Sequence, residues 1–159
     1  MSNTFIEMKI LMVCLGNICR SPIAEGILRL KVQERNLNIE TDSAGTASYH
    51  IGESPDKRMV LAAKKNGVDI SDLRAREFVK EDFQNFDVIY AMDKANYINI
   101  LKLANSDDDR DKVKMILNEI NPNSEEEVPD PYYGGEQGFQ NVIEMLDEAI
   151  EIIMEKIDV

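Results

Sequence analysis

The sequence predicts an α/β fold, a single-domain doubly wound sheet of four parallel strands with helices on both faces, over residues 1–159. Short apolar segments alternate along the chain with helical patterns, and each apolar segment is followed by one. The apolar segments also lack a polar face, which is typical of strands buried on both sides of a parallel sheet. Such sheets bind ligands beyond the carboxyl ends of their strands.

Four apolar segments are the predicted strands, at 8–13, 38–45, 87–92 and 112–117. The first is followed by a predicted helix over 22–35, in which Ile23, Ile27 and Leu30 share one face.

Three more helices follow from their own signals. One is predicted over 54–67, with Ser54 as the N-cap, Pro55 in the first position and Gly67 as the stop. The next follows the third strand and passes through Ala95, Ile98 and Leu101. The last covers about 136–157, and its apolar stripe consists of Phe139, Val142, Ile143, Leu146, Ala149, Ile150 and Ile153.

Composition excludes several kinds of protein. The formal net charge of −12 argues against binding to nucleic acid or to an anionic membrane through charge. No apolar run reaches the ~18 residues of a membrane span, and the first residues lack the pattern of a signal peptide. We therefore expect a cytoplasmic protein. The two cysteines, Cys14 and Cys19, lie in one turn, which is not the disulfide framework of a secreted domain.

The turn between the first strand and the first helix has the make-up of an anion site. Unpaired amides at a helix N-terminus attract anions, and Gly16 and Asn17 tolerate the backbone angles that curl amides inward. Arg20 can hold two oxygens of a tetrahedral oxyanion. The turn lacks the Gly-Lys-Ser/Thr ending of a Walker A loop.

Cys14 makes this turn more than a binding loop. A helix N-terminus and a nearby arginine favour the thiolate, which is the nucleophilic form of cysteine. The same loop would then bind phosphate oxygens and aim sulfur at phosphorus. The alternative is an inert buried thiol, since free cysteine is often buried.

Four segments together resemble one known family. They are CLGNICRS (14–21), DSAGT (42–46), YAMDKAN (90–96) and VPDPYY (128–133). In this order they resemble the low molecular weight protein tyrosine phosphatases, and the resemblance runs over about 8–157. It implies a cysteine-dependent enzyme that hydrolyses phosphotyrosine or other aryl phosphate monoesters through a phosphocysteine. It also implies phosphotyrosine-bearing proteins as partners, inorganic phosphate as product, and no metal or other cofactor.

The resemblance implies three catalytic residues. Cys14 would be the nucleophile, Arg20 the phosphate clamp, and Asp130 the general acid that then activates water. Ser43 would support the loop, as Asn17 and Ser21 would. The implied phosphate- and substrate-binding residues are Leu15, Gly16, Asn17, Ile18, Cys19, Ser21, Tyr49, Tyr132 and Tyr133.

Several of these residues also have plainer interpretations. Asp130 could belong to an ordinary Asp-Pro turn beside a solvated acidic run. Cys19 is either a small core residue or, as the resemblance implies, a thiol that forms a reversible disulfide with Cys14. Ser21 could be the N-cap of a helix with Pro22 in first position, which does not exclude donation to the thiolate.

Other side chains have equally plain alternatives. The three tyrosines could simply be half-buried packing residues, and Ser43 an ordinary turn serine. His50 is expected at the surface. Leu73 stands where many relatives carry a histidine beneath the loop, which puts the detail of that hydrogen-bond network in doubt. For Arg74 and Arg76 we expect surface ion pairs.

Three other activities share parts of this pattern. A thiol-dependent arsenate reductase would need a further cysteine outside the loop, whereas this chain has two cysteines in all. A related branch of the family removes phosphate from arginine. The resemblance implies that this branch has threonine where this chain has Ile18. A non-catalytic phosphopeptide-binding module would need neither Cys14 nor Asp130. The sequence leaves the substrate protein and the oligomeric state open.

Overall fold

The computed structural model describes residues 8–157, and for Tyr133 it describes the backbone alone. The ends of the predicted 1–159 domain therefore lie outside the described residues. Within them, four parallel strands form one sheet in the order β2-β1-β3-β4, with helices around it. The predicted fold class is confirmed.

The strands are β1 (Met8–Cys14), β2 (Ile39–Gly45), β3 (Val88–Ala91) and β4 (Val113–Met115). The helices are α1 (Arg20–Glu34), α2 (Lys57–Lys65), α3 (Asp82–Asn85), α4 (Lys94–Leu101), α5 (Asp107–Asp111) and α6 (Gly135–Ile157). Two 3-10 turns, Ile116–Glu119 and Pro131–Tyr133, complete the regular elements of the described chain.

Alternation along β1 divides the core into two layers. Ile10 and Met12 point to the layer that contains buried residues of α1 and α6, whereas Leu11 and Val13 point to the layer of Phe83 and Ile100. Each of these β1 side chains is fully buried. Successive residues of a strand face opposite sides, so a strand apolar at every position is covered on both.

The start of α2 corrects one prediction. The N-cap is Asp56, whose carboxylate accepts from the Arg58 amide at 2.8 Å, so the assignment of Ser54 as cap and Pro55 as first residue is wrong. An aspartate provides the same kind of cap as a serine, and the sequence offers both within three positions. Gly67, with φ of +77°, lies just beyond the helix end.

Two regions contain short elements that periodicity does not indicate. The charged run 105–112 contains α5, whose first turn is capped by the Ser106 hydroxyl. The predicted strand 112–117 ends early, because Ile116 and Leu117 already belong to a 3-10 turn. Segments of four or five residues are too short to show a helical period.

The sheet order places the end of β1 at a switch point. β1 pairs with β2 on one side and with β3 on the other, so the chain leaves β1 in one direction and later returns on the opposite side. Cys14 lies opposite Gly45, and Val13 opposite Ala91. A crevice beyond these strand ends is where open α/β sheets bind ligands.

Within residues 8–157, no helix is both long enough and apolar enough to cross a membrane.

Candidate active site

The loop from Cys14 to Ser21, here called the thiol loop, joins β1 to α1. Its carbonyl groups are engaged from outside: Cys14 accepts from the Thr46 amide at 2.9 Å, Leu15 from Ala47 at 2.9 Å and Ile18 from Asp56 at 2.8 Å. Carbonyls bound on the outer side of the loop allow its amides to face the centre, as the Asn17 amide does where it donates to the Cys14 sulfur at 3.3 Å. Such a ring of amides is an anion-binding concavity.

Two residues permit this tight curve. Asn17 has a φ of +59°, in the left-handed region that asparagine tolerates better than most residues. Gly45 is required by closeness, since a Cβ there would lie 2.7 Å from the carbonyl oxygen of Leu15. The glycine of DSAGT therefore allows β2 to pass directly beneath the thiol loop.

The Cys14 sulfur is buried and has two polar neighbours. The backbone amide of Asn17 donates to Sγ at 3.3 Å, and the Ser21 hydroxyl lies 3.0 Å from Sγ. Asn17 Nδ2 donates to Ser21 Oγ at 2.8 Å, so the serine proton can point to one of two acceptors, Cys14 Sγ at 3.0 Å or the Ala44 carbonyl at 3.4 Å. Ser21 therefore has the geometry of a donor to the thiolate.

Ser21 is not the N-cap of α1. The helix begins at Arg20, its N-cap residue is Cys19, and Pro22 occupies the third position instead of the first. Proline is still tolerated there, because the first amides of a helix have no partner within it. The interpretation of Ser21 as a cap is wrong, and its hydroxyl points to the site instead.

Behind Ser21 lies a buried chain of hydrogen bonds. Asn17 Nδ2 also donates to Ser43 Oγ at 3.0 Å, and Ser43 donates to the Glu25 carboxylate at 2.7 Å. The Asn17 side-chain oxygen accepts from the Arg76 amide at 2.9 Å. The asparagine side chain is thus fully bonded, and it holds the loop against both β2 and the 73–78 segment.

Glu25 ends this chain of bonds. It is 5% exposed, and burial raises its pKa to about 7, although the bond from Ser43 opposes the shift. Asp42 and Asp72 raise the pKa further, whereas Arg29 lowers it. Arg29 is itself paired with Asp72 at 2.9 Å.

Arg20 lies at the other end of the thiol loop and is held in place. Its NH1 group donates to Asp93 Oδ2 at 2.7 Å and to the Val128 carbonyl at 2.9 Å. Burial alone would lower its pKa, but Cys14, Asp93 and Asp130 outweigh burial and raise it. The guanidinium therefore remains charged although it is buried.

Cys19 packs into the core layer of α1 and α6 and is 8% exposed. Burial raises its pKa to about 12, and Asp56, Cys14 and Asp130 add to the shift. Its thiol therefore stays protonated at neutral pH. Both cysteines are free.

Residues 128–133, here called the acid loop, lie across from Arg20. Val128 is buried and donates its amide to the Met92 carbonyl at 2.9 Å, whereas Asp130 is exposed. The Asp130 carboxylate accepts from the Tyr132 amide at 3.0 Å and contributes to the raised pKa of Arg20 and Cys19. The structure thus brings Asp130 close to the thiol loop.

Exposed apolar groups occur in the segments beside the site. Leu15 is 43% exposed, Tyr49 76% and Tyr132 52%. His50 is only half-exposed, and its ring lies so close to Gly16 that a Cβ there would come within 3.0 Å of it. The histidine expected merely at the surface thus packs against the thiol loop. The side chain of Tyr133, predicted as another slot residue, lies outside the described residues.

Sequence reasoning missed several residues of the site. Asp93, which orients Arg20, lies within the quoted YAMDKAN segment and also caps α4, so an N-cap signal was available. Glu25 stood as an acid on an otherwise buried stretch of α1. No local signal indicates the Arg76 amide, because its contact with Asn17 spans 59 residues.

The segment between α2 and α3 also differs from expectation in detail. Leu73, in the position of the absent histidine, packs against the core layer of α1 and α6. Arg76 bridges Asp42 and Asp82, both at 3.0 Å, and is partly buried. Arg74 instead donates to backbone carbonyls of its own turn.

Fold and site together define a class of protein. It is a parallel α/β domain whose first strand delivers a buried thiol into a loop of amides closed by an arginine. Such an arrangement suits attack by the sulfur on a bound oxyanion.

Comparison with known proteins agrees with this class. The model of the low molecular weight phosphotyrosine protein phosphatase family matches residues 9–159. A relative from Synechocystis, provisionally named a low molecular weight protein-tyrosine-phosphatase, is 51% identical over 144 residues, covering 89% of this chain and 91% of its own.

Solved structures agree as well. A protein tyrosine phosphatase from Entamoeba histolytica, with Hepes in its active site, superposes with a TM-score of 0.88 at 42% identity, covering 96% of this chain and 97% of its own. Wzb of Vibrio vulnificus, in complex with benzylphosphonate, gives a TM-score of 0.83 at 29% identity, covering 94% and 98%.

The chain belongs to the low molecular weight phosphotyrosine protein phosphatase family. Its predicted resemblance to this family is confirmed, as is the prediction of an enzyme of the protein-tyrosine-phosphatase class, which are phosphoric monoester hydrolases.

Proposed function

We propose that this protein hydrolyses phosphotyrosine on proteins through a covalent phosphocysteine. Cys14 is the nucleophile, Arg20 binds the phosphoryl oxygens, and Asp130 is the general acid and then the general base. The observation that carries the proposal is the pair of donors at one buried sulfur, the Asn17 amide at 3.3 Å and the Ser21 hydroxyl at 3.0 Å. Sulfur held in this way beside Arg20 is placed to attack the phosphorus of an oxyanion that the arginine binds.

In the first step the Cys14 thiolate attacks phosphorus and the bond from phosphorus to the phenolic oxygen breaks. Asp130, entering protonated, gives its proton to the departing oxygen, so a neutral phenol leaves. Charge on the phosphoryl oxygens is met by the loop amides and the Arg20 guanidinium. Because Asp93 and the Val128 carbonyl bind NH1, the rest of the guanidinium is left to face the substrate.

In the second step the Asp130 carboxylate takes a proton from water, and the water oxygen attacks phosphorus. The bond from sulfur to phosphorus breaks, which releases inorganic phosphate and restores the thiolate. Ser21 matters most here, since its hydroxyl stabilises the sulfur as a leaving group. Electrostatic positioning of this kind accounts for much of enzymatic phosphoryl transfer.

An aryl substrate fits the surroundings of the loop. Leu15, Tyr49 and Tyr132 offer exposed apolar surface against which a phenyl ring can pack. The relative Wzb binds benzylphosphonate, which carries an aromatic ring beside its phosphonate. Ile18 adds a further apolar group to the loop, half-buried between Asn17 and Cys19.

The test is release of phenol from a simple aryl phosphate, with metals chelated and thiols reduced. Wild type should turn over, and Cys14→Ser should lose more than about 10³-fold in kcat, because a serine hydroxyl is a far weaker nucleophile at neutral pH. Cys19→Ser is the matched control and should retain most of the activity under reducing conditions. An active Cys14→Ser variant would refute the proposed nucleophile.

A further inference from the structure

The first turn of α4 binds both sides of the candidate active site. One carboxylate oxygen of Asp93 accepts from the Asn96 amide at 2.8 Å, and the other accepts from Arg20 at 2.7 Å. The Glu127 carboxylate accepts from the Lys94 amide, the first of the helix, at 2.9 Å. Amides of a first turn have no partner within their helix, and the helix dipole favours carboxylates there. The arginine and the chain that enters the acid loop are thus attached to the same turn.

Glu127 differs from the other two glutamates of the acidic run. Glu126 accepts from Asn121 Nδ2 at 3.1 Å, within its own loop. Glu125 lies 3.7 Å from the Lys94 ammonium, with both side chains largely exposed, and exposed pairs of this kind contribute little. Glu127 instead binds a backbone amide of another element, at a distance typical of a charge-assisted bond. It therefore has the contact suited to fix the chain.

The chain from Glu127 to Asp130 is short and stiff. Val128 makes two backbone bonds, one of them from Arg20 at 2.9 Å, and Pro129 has a fixed φ. Asp130 is exposed, and its carboxylate is bonded by an amide of its own loop. The place of Asp130 relative to Arg20 therefore depends on how the residues before it are held.

We propose that Glu127 is a positioning residue for the general acid: by binding the first amide of α4, it fixes the direction in which the chain enters the acid loop and so places Asp130 across from Arg20. Asp93 does the same for the arginine, so one helical turn sets the distance between the two groups. Without the Glu127 bond the chain would swing about Val128, and the acid would meet the departing phenolic oxygen less often. The inference deepens the proposed function and rests on it.

The experiment breaks this bond from either side. Glu127→Ala removes the acceptor. Lys94→Pro removes the donor, because proline has no N–H, and proline is favoured at the first position of a helix. Asp93, the residue before it, already has the extended backbone that proline requires there.

Each variant should lower kcat/KM about tenfold for an aryl phosphate whose phenol leaves poorly, since small displacements of a catalytic group are costly. The double variant should lose no more than either single one, because both remove the same bond. Glu127→Gln, which keeps an acceptor oxygen, should retain most of the activity. Lys94→Ala, which keeps the amide, and Glu126→Ala are the matched controls and should match wild type.

Two further measurements separate positioning from a merely structural role. The loss should shrink for a phenol that leaves well, because such a phenol needs little help from an acid. In the Asp130→Asn background, neither Glu127→Ala nor Lys94→Pro should lower kcat/KM further, since the proton donor is already gone. A structural role would lower kcat/KM equally for both phenols and would persist in that background.

The outcomes distinguish the two proposals. Wild-type kcat/KM in Glu127→Ala, or a loss that persists in the Asp130→Asn background, overturns the positioning role and leaves the phosphatase intact. Full activity of Asp130→Asn on the phenol that leaves poorly overturns the proposed acid, and the role of Glu127 with it. No turnover by wild type overturns the proposed function itself.

Discussion

The thiol loop and the acid loop would supply the two halves of one reaction, yet they are built differently. Cys14, Asn17 and Ser21 are at most 3% exposed and are joined by hydrogen bonds to β2, α1 and the 73–78 segment. Asp130 is exposed and its carboxylate accepts from an amide two residues away. The difference teaches that the proposed nucleophile is positioned by the packed core, whereas the proposed acid is positioned by a surface loop.

The two regions meet at Arg20. Its guanidinium belongs to the thiol loop but binds Asp93 and the Val128 carbonyl, and Val128 begins the acid loop. α2 connects the two loops a second time. The amide of its cap residue Asp56 donates to the Ile18 carbonyl of the thiol loop, and its Arg58 donates to the Tyr132 carbonyl of the acid loop. Variants that break one side or the other therefore test whether the two regions contribute separately.

Among the variants that test this comparison, Arg20→Lys, at the junction, is expected to have the largest effect. An ammonium keeps the charge but cannot bind Asp93 and Val128 while offering a planar fork to phosphate. We expect kcat/KM for an aryl phosphate to fall about 10²–10³-fold. Arg29→Lys, in the same helix and paired with Asp72, is the control. An equal loss in both variants would contradict a specific role for Arg20.

The acid loop is tested by Asp130→Asn, which removes the proton donor and keeps the shape. We expect kcat to fall about 10²-fold for phenols that leave poorly, and less for phenols that leave well. The measurement is kcat against the acidity of the leaving phenol. Glu126→Gln, in the exposed run before the loop, is the control. A loss that does not depend on the leaving group would contradict general acid catalysis.

These regions also differ in how far the sequence could predict them. The spacing from Cys14 to Arg20 is local, so a strand, a turn and a helix start were enough to indicate an oxyanion loop. The order of the elements gave the parallel sheet, because the alternation of strands and helices survives small errors at their ends. Asp130 came from resemblance to the family, since Asp-Pro by itself predicts only a turn.

What could not be predicted depends on contacts distant in sequence. Ser43 came from the resemblance, but the Arg76 amide binds Asn17 across 59 residues and Glu25 reaches Asn17 only through Ser43, so no pattern within one element indicates these contacts. The two capping errors, at Ser21 and Ser54, have another cause. Several residues in each segment can cap a helix, and tertiary contacts decided between them: Ser21 binds sulfur and Asp56 binds Ile18.

A smaller effect is expected for Asn17→Ala, which removes the bonds that tie the thiol loop to the core. We expect kcat/KM to fall about tenfold and the free energy of unfolding to drop by about 1–3 kcal/mol, because buried partners lose their bonds. Aryl phosphate assays and urea denaturation measure both. Asn36→Ala, at an exposed asparagine with a φ of +53°, is the control for the cost of placing alanine in the left-handed region. Equal destabilisation by both would show that the buried bonds contribute little.

The smallest effect on activity is expected for Glu25→Gln, which keeps an acceptor for Ser43. Because the pKa of Glu25 is raised to about 7 on folding, ionising it in the native state costs stability. Wild type should therefore lose stability relative to the variant as pH rises from about 4.5 to 7, by on the order of 3 kcal/mol in all. Below about pH 4.5 the carboxyl is protonated in both states and the difference is constant.

Urea denaturation across this pH range measures the difference in unfolding free energy. Glu34→Gln, an exposed glutamate of the same helix, reports the effect of the chemical change alone. A difference between wild type and Glu25→Gln that stays flat from pH 4.5 to 7 would show that Glu25 titrates normally in the folded protein.

In the proposed reaction, a thiol fixed by the core forms a covalent bond to phosphorus. The most direct test mixes Asp130→Asn with an aryl phosphate whose phenol leaves well, quenches with acid within the first turnover, and locates phosphoryl by mass spectrometry of peptides. Attack should proceed and hydrolysis should lag without the base, so we expect phosphoryl on Cys14. Release of phenol with no phosphoryl on Cys14 would contradict it.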